Sequence, residues 1–433
     1  MNALPPIARR LTTVTVPGLI CAVLLSSQNV LATTYIIRPD GTGDFPTIQA
    51  AVNASLDGDI IELTDGTFLG EGNRDIDYIG KAITVCSQSG NPETCIIHCG
   101  GYPHQGFRFQ SGEPPAARIE GVTITNAITR DSGGAIYCSD SSPTIGNCII
   151  RSNGAGRGAG IYCGGKGASP TISGCTIDRN LASETSFFGF GGGIYCDQAS
   201  PMIVNCTITD NRAIGRLHGS GGGIHTSLSS LAITGCTISG NFAESDGGGI
   251  TCNRSSLTIT QCLITGNDTS DYGYGGGVSA FNSNVMLRSC TLAANFALGG
   301  GAVYIDNLSS ISLDRTIVWG NCASGKGSEA FVLGEVVFAC CAVDPDRIEG
   351  SGKITFSLEN VFVDPLFCEP ESCRQTGGDY GLRADSPCSP EHSPGNCELI
   401  GALPVGCEAM ALEPTSWGAI KARHHQASGA DVN

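Results

Sequence analysis

The segment Gly133-Gly134-Ala135-Ile136-Tyr137-Cys138 decides the fold, because the chain repeats it. It returns as Gly-Ala-Gly-Ile-Tyr-Cys from 158 and as Gly-Gly-Gly-Ile-Tyr-Cys from 191. GGGIHT from 221, GGGITC from 247, GGGVSA from 275 and GGAVYI from 300 follow, at steps of 25, 33, 30, 26, 28 and 25 residues. A second element trails each copy: Cys148 to Asn153, Cys175 to Asn180, Cys206 to Asn211, Cys236 to Asn241, Cys262 to Asn267 and Cys290 to Asn295. In a seventh copy Thr316 takes the Cys position and the element ends at Asn321. Self-similarity at such a period marks an architecture of stacked repeats. The runs between Gly, Ser-Pro and Asn are short and β-like, and none carries a helical period. Each repeat therefore reads as one coil of a parallel β-helix, with three short strands and three turns.

Side chains alternate across a strand, so in Ile-Tyr-Cys the Ile and Cys share one face and Tyr takes the other. Ile136, Ile161, Ile194, Ile224, Ile250, Val278 and Val303 are expected to stack inside, with Tyr137, Tyr162, Tyr195, His225, Thr251, Ser279 and Tyr304 in a column outside. Asn tolerates the left-handed conformation of a tight corner, and its amide can bond the same amide one coil away. Asn153, Asn180, Asn211, Asn241, Asn267, Asn295 and Asn321 are thus expected to form an internal ladder with a structural role.

The composition agrees. Gly is 61 of 433 residues, too dense for long helices, while hydrophobics at 41% can still build a core, which excludes a disordered chain. The net charge of −16 repels phosphate backbones and makes nucleic acid an unsuitable partner. Residues 1–32 read as a secretory signal: Arg9 and Arg10, then an apolar stretch from Leu11, then Val30-Leu31-Ala32 before a cleavage site. Its removal takes −16 to −18, and no later segment is long and apolar enough to span a membrane. Residues 33–345 form the expected solenoid, 346–408 terminal coils and a Cys-rich cap, and 409–433 a tail without repeat features, expected to be disordered and too short for an outer-membrane barrel.

The repeat resembles the secreted right-handed parallel β-helix proteins of the pectin-lyase-like superfamily, with units similar to those of chlamydial polymorphic outer-membrane proteins. The opening Arg38-Pro-Asp-Gly-Thr-Gly-Asp-Phe-Pro-Thr-Ile-Gln-Ala-Ala-Val52, with Gly58 to Thr67, looks like the first coil of such proteins. The resemblance implies an all-β right-handed solenoid whose N-terminal end is plugged by a helix, here about Pro46 to Ala54. Ile48, Ala51 and Val52 would share its buried face. Val363 to Phe367 and Gly378 to Cys388 look like final coils.

Four coils carry two Cys each: 138 with 148, 163 with 175, 196 with 206, and 252 with 262. Buried thiols acting as small hydrophobes and disulfides within a coil are both open readings. In the C-terminal group, Cys388 with Cys397 and Cys368 with Cys373 are the expected bridges. His98, between Cys95 and Cys99, reads as part of a disulfide region rather than a metal site, and His225 as a surface substitute for Tyr.

Enzymes of the resembling families use Ca²⁺-binding carboxylates with a basic residue, paired Asp near Gly-His-Gly, or Gln-Asp and Asp-Phe-Ile-Phe-Gly segments. None of these occurs here. The irregular segments after the Asn corner emerge on one side and form a ridge, where a solenoid often binds. Phe187, Phe188, Arg212, Arg216, His218, Tyr272 and Tyr274 lie on it and suit a sugar, with its apolar face and polar rim. Glu244, Asp246, Asp268 and Asp271 are a weaker expectation for Ca²⁺, and no other cofactor is expected. The expectation is a monomeric, secreted or cell-surface β-helix protein that binds glycan or a surface partner without catalysis. The alternatives are a polysaccharide lyase or glycoside hydrolase of the same fold, and a structural spacer.

Overall fold

The computed structural model describes residues 32–184, 188–215, 218–395 and 397–407. The signal and tail expectations, and Phe187 and Arg216, lie outside them. Strands recur in a fixed order along the chain and pair in parallel with their counterparts one coil on. Sheet 1 has 13 strands, from Thr34–Ile37 to Lys353–Ser357, and sheet 2 has 11, from Ile76–Asp77 to Ile348–Glu349. Sheet 3 also has 11, from Gly66–Phe68 to Ala342–Val343. One coil runs Ile136–Ser139 in sheet 2, Thr144–Gly146 in sheet 1 and Ile149–Arg151 in sheet 3. The repeats stack without slippage: Ile136 pairs Ile161, then Ile194, Ile224, Ile250, Val278 and Val303, all fully buried.

The ridge is more regular than expected. Its segments open with short strands that form a fourth parallel sheet of seven, from Gly154–Ala155 to Cys322–Lys326. Phe188–Phe190 and His218–Ser220 add a two-stranded pair.

The asparagines form the ladder. The Nδ2 of Asn180, Asn211 and Asn241 donate to Oδ1 of Asn211, Asn241 and Asn267 at 2.9, 3.0 and 3.0 Å, and the series runs from Asn153 to Asn321. The left-handed corner residue, however, is the one before each Asn: Ser152, Arg179, Asp210, Gly240, Gly266, Ala294 and Gly320 all have φ from 54° to 73°. The Asn side chain faces the interior, so its contribution is hydrogen bonding rather than backbone tolerance. The Gly run has its own reason. Gly191 is at φ 64°, and a Cβ on Gly192 would lie 2.5 Å from the Gly222 carbonyl oxygen of the next coil.

Both Cys columns are buried free thiols, and no coil closes a disulfide. Cys95 and Cys99, beside His98, are also free and buried, which corrects the disulfide expected there. Burial pushes the thiols of Cys95, Cys99 and Cys341 up to about 12, so they stay protonated.

At the N-terminal end the helix Ile48–Ala54 buries Ile48, Ala51 and Val52. Thr47 is its N-cap, accepting from Ala50 N–H, and Lys81 Nζ donates to the carbonyls of Val52, Asn53 and Ser55 at its other end. The C-terminal segment departs from expectation. Ile348–Glu349 and Lys353–Ser357 still add to sheets 2 and 1, but the segments 363–367 and 378–388 add no coil: the chain there forms a three-stranded sheet, Phe367–Glu369, Asp379–Arg383 and Val405–Cys407, against the outside of sheet 3. Phe367, Tyr380, Leu382 and Ile400 pack there on Ala293, Ile317 and Ala342. The disulfides are Cys322–Cys373, Cys340–Cys397 and Cys368–Cys407. Cys388 is a buried free thiol, so neither expected bridge forms. Two of the three bonds fasten the segment to the solenoid wall, a pairing that spacing along the chain could not reveal.

Candidate functional site

The outward positions of sheet 2 form one continuous column: Asp77, Arg108, Tyr137, Tyr162, Tyr195, His225, Thr251, Ser279, Tyr304, Phe331 and Glu349. Its middle is roofed. Segments leading into the Gly runs fold back over it, where Thr251 Oγ1 donates to the Asp246 carbonyl at 2.8 Å and Ser279 Oγ to the Tyr274 carbonyl. Phe190 lies over His225, with ring centroids 4.8 Å apart. His225 is thus buried rather than a surface residue, and burial pulls its imidazole down to about 4, leaving it neutral.

Toward the N-terminal end the roof stops and the column opens into a cleft of about 450 Å³, lined by Gln105, Arg108, Gln110, Thr129, Asp131, Ser132, Tyr137 and Tyr162. Its floor is fixed. Arg108 Nη2 meets Asp75 Oδ1 at 2.8 Å while its Nε donates to Gln105 Oε1 at 2.6 Å. Gln105 Nε2 donates to the carbonyls of Ser132 and Gly133, tying the floor to the next coil. Asp75 also takes His104 Nδ1 at 2.7 Å and the Gln105 N–H, so this carboxylate is a bracket for the guanidinium. Gln110 Nε2 donates to Asp77 Oδ2 at 2.8 Å.

Tyr137 and Tyr162 stack with centroids 5.1 Å apart and planes 4° apart, and Tyr162 stacks on Tyr195 at 5.8 Å. Rings stacked along the solenoid axis cover each other's faces, so the ladder presents ring edges and phenol groups to solvent. Burial pushes the Tyr162 phenol up to about 12, which keeps it a donor. On its other side Tyr137 is in register with Arg108 rather than a ring. The cleft therefore combines tyrosine rings, phenol donors, amides and a clamped guanidinium.

The carboxylates with raised pKa values lie elsewhere. Burial lifts Asp246 in the roof to about 6 and Glu329 at the foot of the asparagine ladder to about 7. Among the described residues no group of three or more His, Cys, Asp or Glu converges to hold a metal. Of the four carboxylates considered for Ca²⁺, Glu244 accepts from Gly215 N–H, Asp246 from Tyr274 N–H, and Asp268 and Asp271 pair with Arg374.

The residues expected to bind do not share one cleft. Arg212 lies on sheet 4 over the Phe242 ring, at 4.6 Å from its centroid. His218 Nδ1 is 3.3 Å from Ser245 Oγ, and Tyr272 is 85% exposed at a turn. Tyr274 turns onto Tyr304, at 4.8 Å between centroids. Phe188 belongs to the two-stranded pair beside the roof. The residues missed were Gln105, Arg108 and Gln110. The signal for them was present: Gly106-Phe107-Arg108-Phe109 fills the slot of Gly-Ile-Tyr-Cys one coil earlier, with Arg in the Tyr position.

Residues 86–268 match a family model described as the right handed beta helix region. A solved structure titled pectate lyase Pel9A is similar at 14% identity and a TM-score of 0.39, over 86% of this chain and 96% of that one; a likeness at that level carries no argument about activity. No curated protein matches the chain. No helix among the described residues is long and apolar enough to cross a membrane. Parallel sheets continue beyond the matched residues at both ends, so the fold is a parallel β-helix from the first coil to the last.

Proposed function

We propose that this is a secreted or cell-surface β-helix protein that binds glycan without turning it over, through the open stretch of the sheet 2 column. The cleft lined by Gln105, Arg108, Gln110, Asp131, Tyr137 and Tyr162 is the observation that carries the reading. Its polar groups are held by one another and by backbone, so a ligand meets a preorganised surface. The raised carboxylates that general acid–base chemistry would use lie outside it. Export is supported by the three disulfides, which persist in oxidising compartments.

A glycan array followed by calorimetry on the best ligand tests this. Tyr137→Ala and Gln110→Ala should each weaken binding by about 10-fold or more while leaving the melting temperature near wild type, as expected for loss of a ring contact or a hydrogen bond at a rim. Release of shortened or unsaturated sugars from any bound polysaccharide would replace this reading with a lyase or hydrolase.

A further inference from the structure

The two ends of the solenoid differ. At the N-terminal end the helix covers the first coil, and Ile48, Ala51 and Val52 are fully buried beneath it. At the other end, among the described residues, sheet 1 stops at Lys353–Ser357, paired on one side only, with Glu335–Ala339. Ile354 and Phe356 are in register with Val336 and Phe338, which are fully buried, yet they remain 36% and 40% exposed. Phe362 packs edge-on against Phe356, and Phe362, Val363 and Leu358 extend the apolar surface. The core column thus runs out into solvent, beside an open backbone edge.

We propose that this end is a homodimer interface, in which two copies join end to end with strand Lys353–Ser357 antiparallel to its own counterpart about Thr355. The backbone geometry favours this occupant. Lys353 N–H donates back to the Gly334 carbonyl, so by strand alternation the peptide groups of Ile354 and Phe356 face the open edge. Antiparallel pairing about Thr355 sets Ile354 against Phe356 of the second copy in two hydrogen-bonded pairs, roughly four hydrogen bonds. Apolar side chains then meet apolar ones across the junction, and Lys353, which pairs with Glu335 in its own chain, meets Ser357 rather than a like charge. The helix at the opposite end prevents head-to-tail growth, so a two-fold contact closes at two copies. The proposal departs from the monomer expected from the sequence. The two clefts would face outward at the far ends. The strands of Tyr162 and Glu349 are the fourth and eleventh of sheet 2, about 34 Å apart at roughly 4.8 Å per coil, which puts the clefts some 70 Å apart.

Sedimentation equilibrium of the exported, disulfide-bonded chain, without any glycan, tests the interface independently of what the cleft binds. The expected result is twice the chain mass at micromolar concentration. Ile354→Lys and Phe356→Lys should each halve it with the circular dichroism spectrum unchanged. A wild-type monomer overturns the proposal. So does a dimer that survives both substitutions together. If the wild type is monomeric and a chain ending at Cys407 dimerises, residues 408–433 occupy the end instead, and the proposal fails.

Discussion

Two columns run through the repeated coils of the same interior, one of asparagines from Asn153 to Asn321 and one of cysteines from Cys148 to Cys290, and they do different work. Asn241 is fully buried and uses its side chain completely: Nδ2 donates to Ile208 O and to Asn267 Oδ1, and Oδ1 accepts from the N–H and Nδ2 of Asn211. Cys236 sits in the neighbouring column at the same burial, and its Sγ donates weakly to the Thr234 carbonyl at 3.4 Å. The chain itself has made the exchange there, because Thr316 replaces Cys and keeps the contact, donating to the Asp314 carbonyl at 3.0 Å. No described coil from Asn153 to Asn321 makes an exchange in the other column. A polar ladder fixes which coil lies on which, since each amide is satisfied only by its neighbour. A thiol column fills volume and tolerates substitutes of similar size.

Breaking the polar column should have the largest effect. Asn241→Ala leaves the Asn211 N–H and the facing amides buried without partners and removes one of the Ile208 carbonyl's bonds, and should cost about 4 kcal/mol or more, read by denaturant unfolding.

The end of that column offers a pH test. Asn321 has no asparagine beyond it; its Nδ2 donates to Glu329 Oε2 at 2.6 Å, Gly320 N–H donates to Oε1, and Arg347 lies 3.2 Å from the carboxylate. Burial lifts Glu329 from 4.5 to about 7, against the pull of Asn321 and Arg347. A folded-state pKa raised in this way means that the stabilisation is complete below the unfolded value and lost as pH rises through about 7. The wild type should melt at a lower temperature near pH 8 than near pH 5. Glu329→Gln should narrow that gap; of the other buried groups Asp246, lifted to about 6, acts in the same direction and His225, pulled down to about 4, in the opposite one.

The cysteine column should respond least. Cys236→Ala removes one buried sulfur and should cost roughly 1–2 kcal/mol, and Cys236→Thr less, following the precedent of Thr316. If Cys236→Thr proved as damaging as Asn241→Ala, the contrast between the columns would collapse. A thiol reagent should label the column cysteines only on unfolding, since they are buried.

Much of the architecture was legible because it is written once per coil. The Ile, Tyr, Cys and Asn positions recur often enough that alternation assigns each to a face, and the helix over the first coil follows from an amphipathic run beside Pro46 and Thr47. The site was less legible. Reading the aromatic and charged ridge residues as a binding surface assumed that they face solvent, but Tyr274 turns back onto the sheet 2 column, as does Phe190 beside it in the roof. The cleft lies where that roof is missing, and its Arg108 stands in a degenerate early coil that lacks the Gly run.

The sequence by itself determined the coil, its inner and outer faces and the asparagine ladder, because short-range alternation and a strict repeat leave a single way to stack. Only the tertiary structure decided which cysteines meet, where the C-terminal segment lies and which stretch of the outer column stays open. Those features arise between parts of the chain that share no repeat: Cys322 and Cys373 are 51 residues apart, and Arg374 reaches Asp268 across the flank of sheet 4. Contacts of that kind are set by packing in three dimensions, and no local pattern records them.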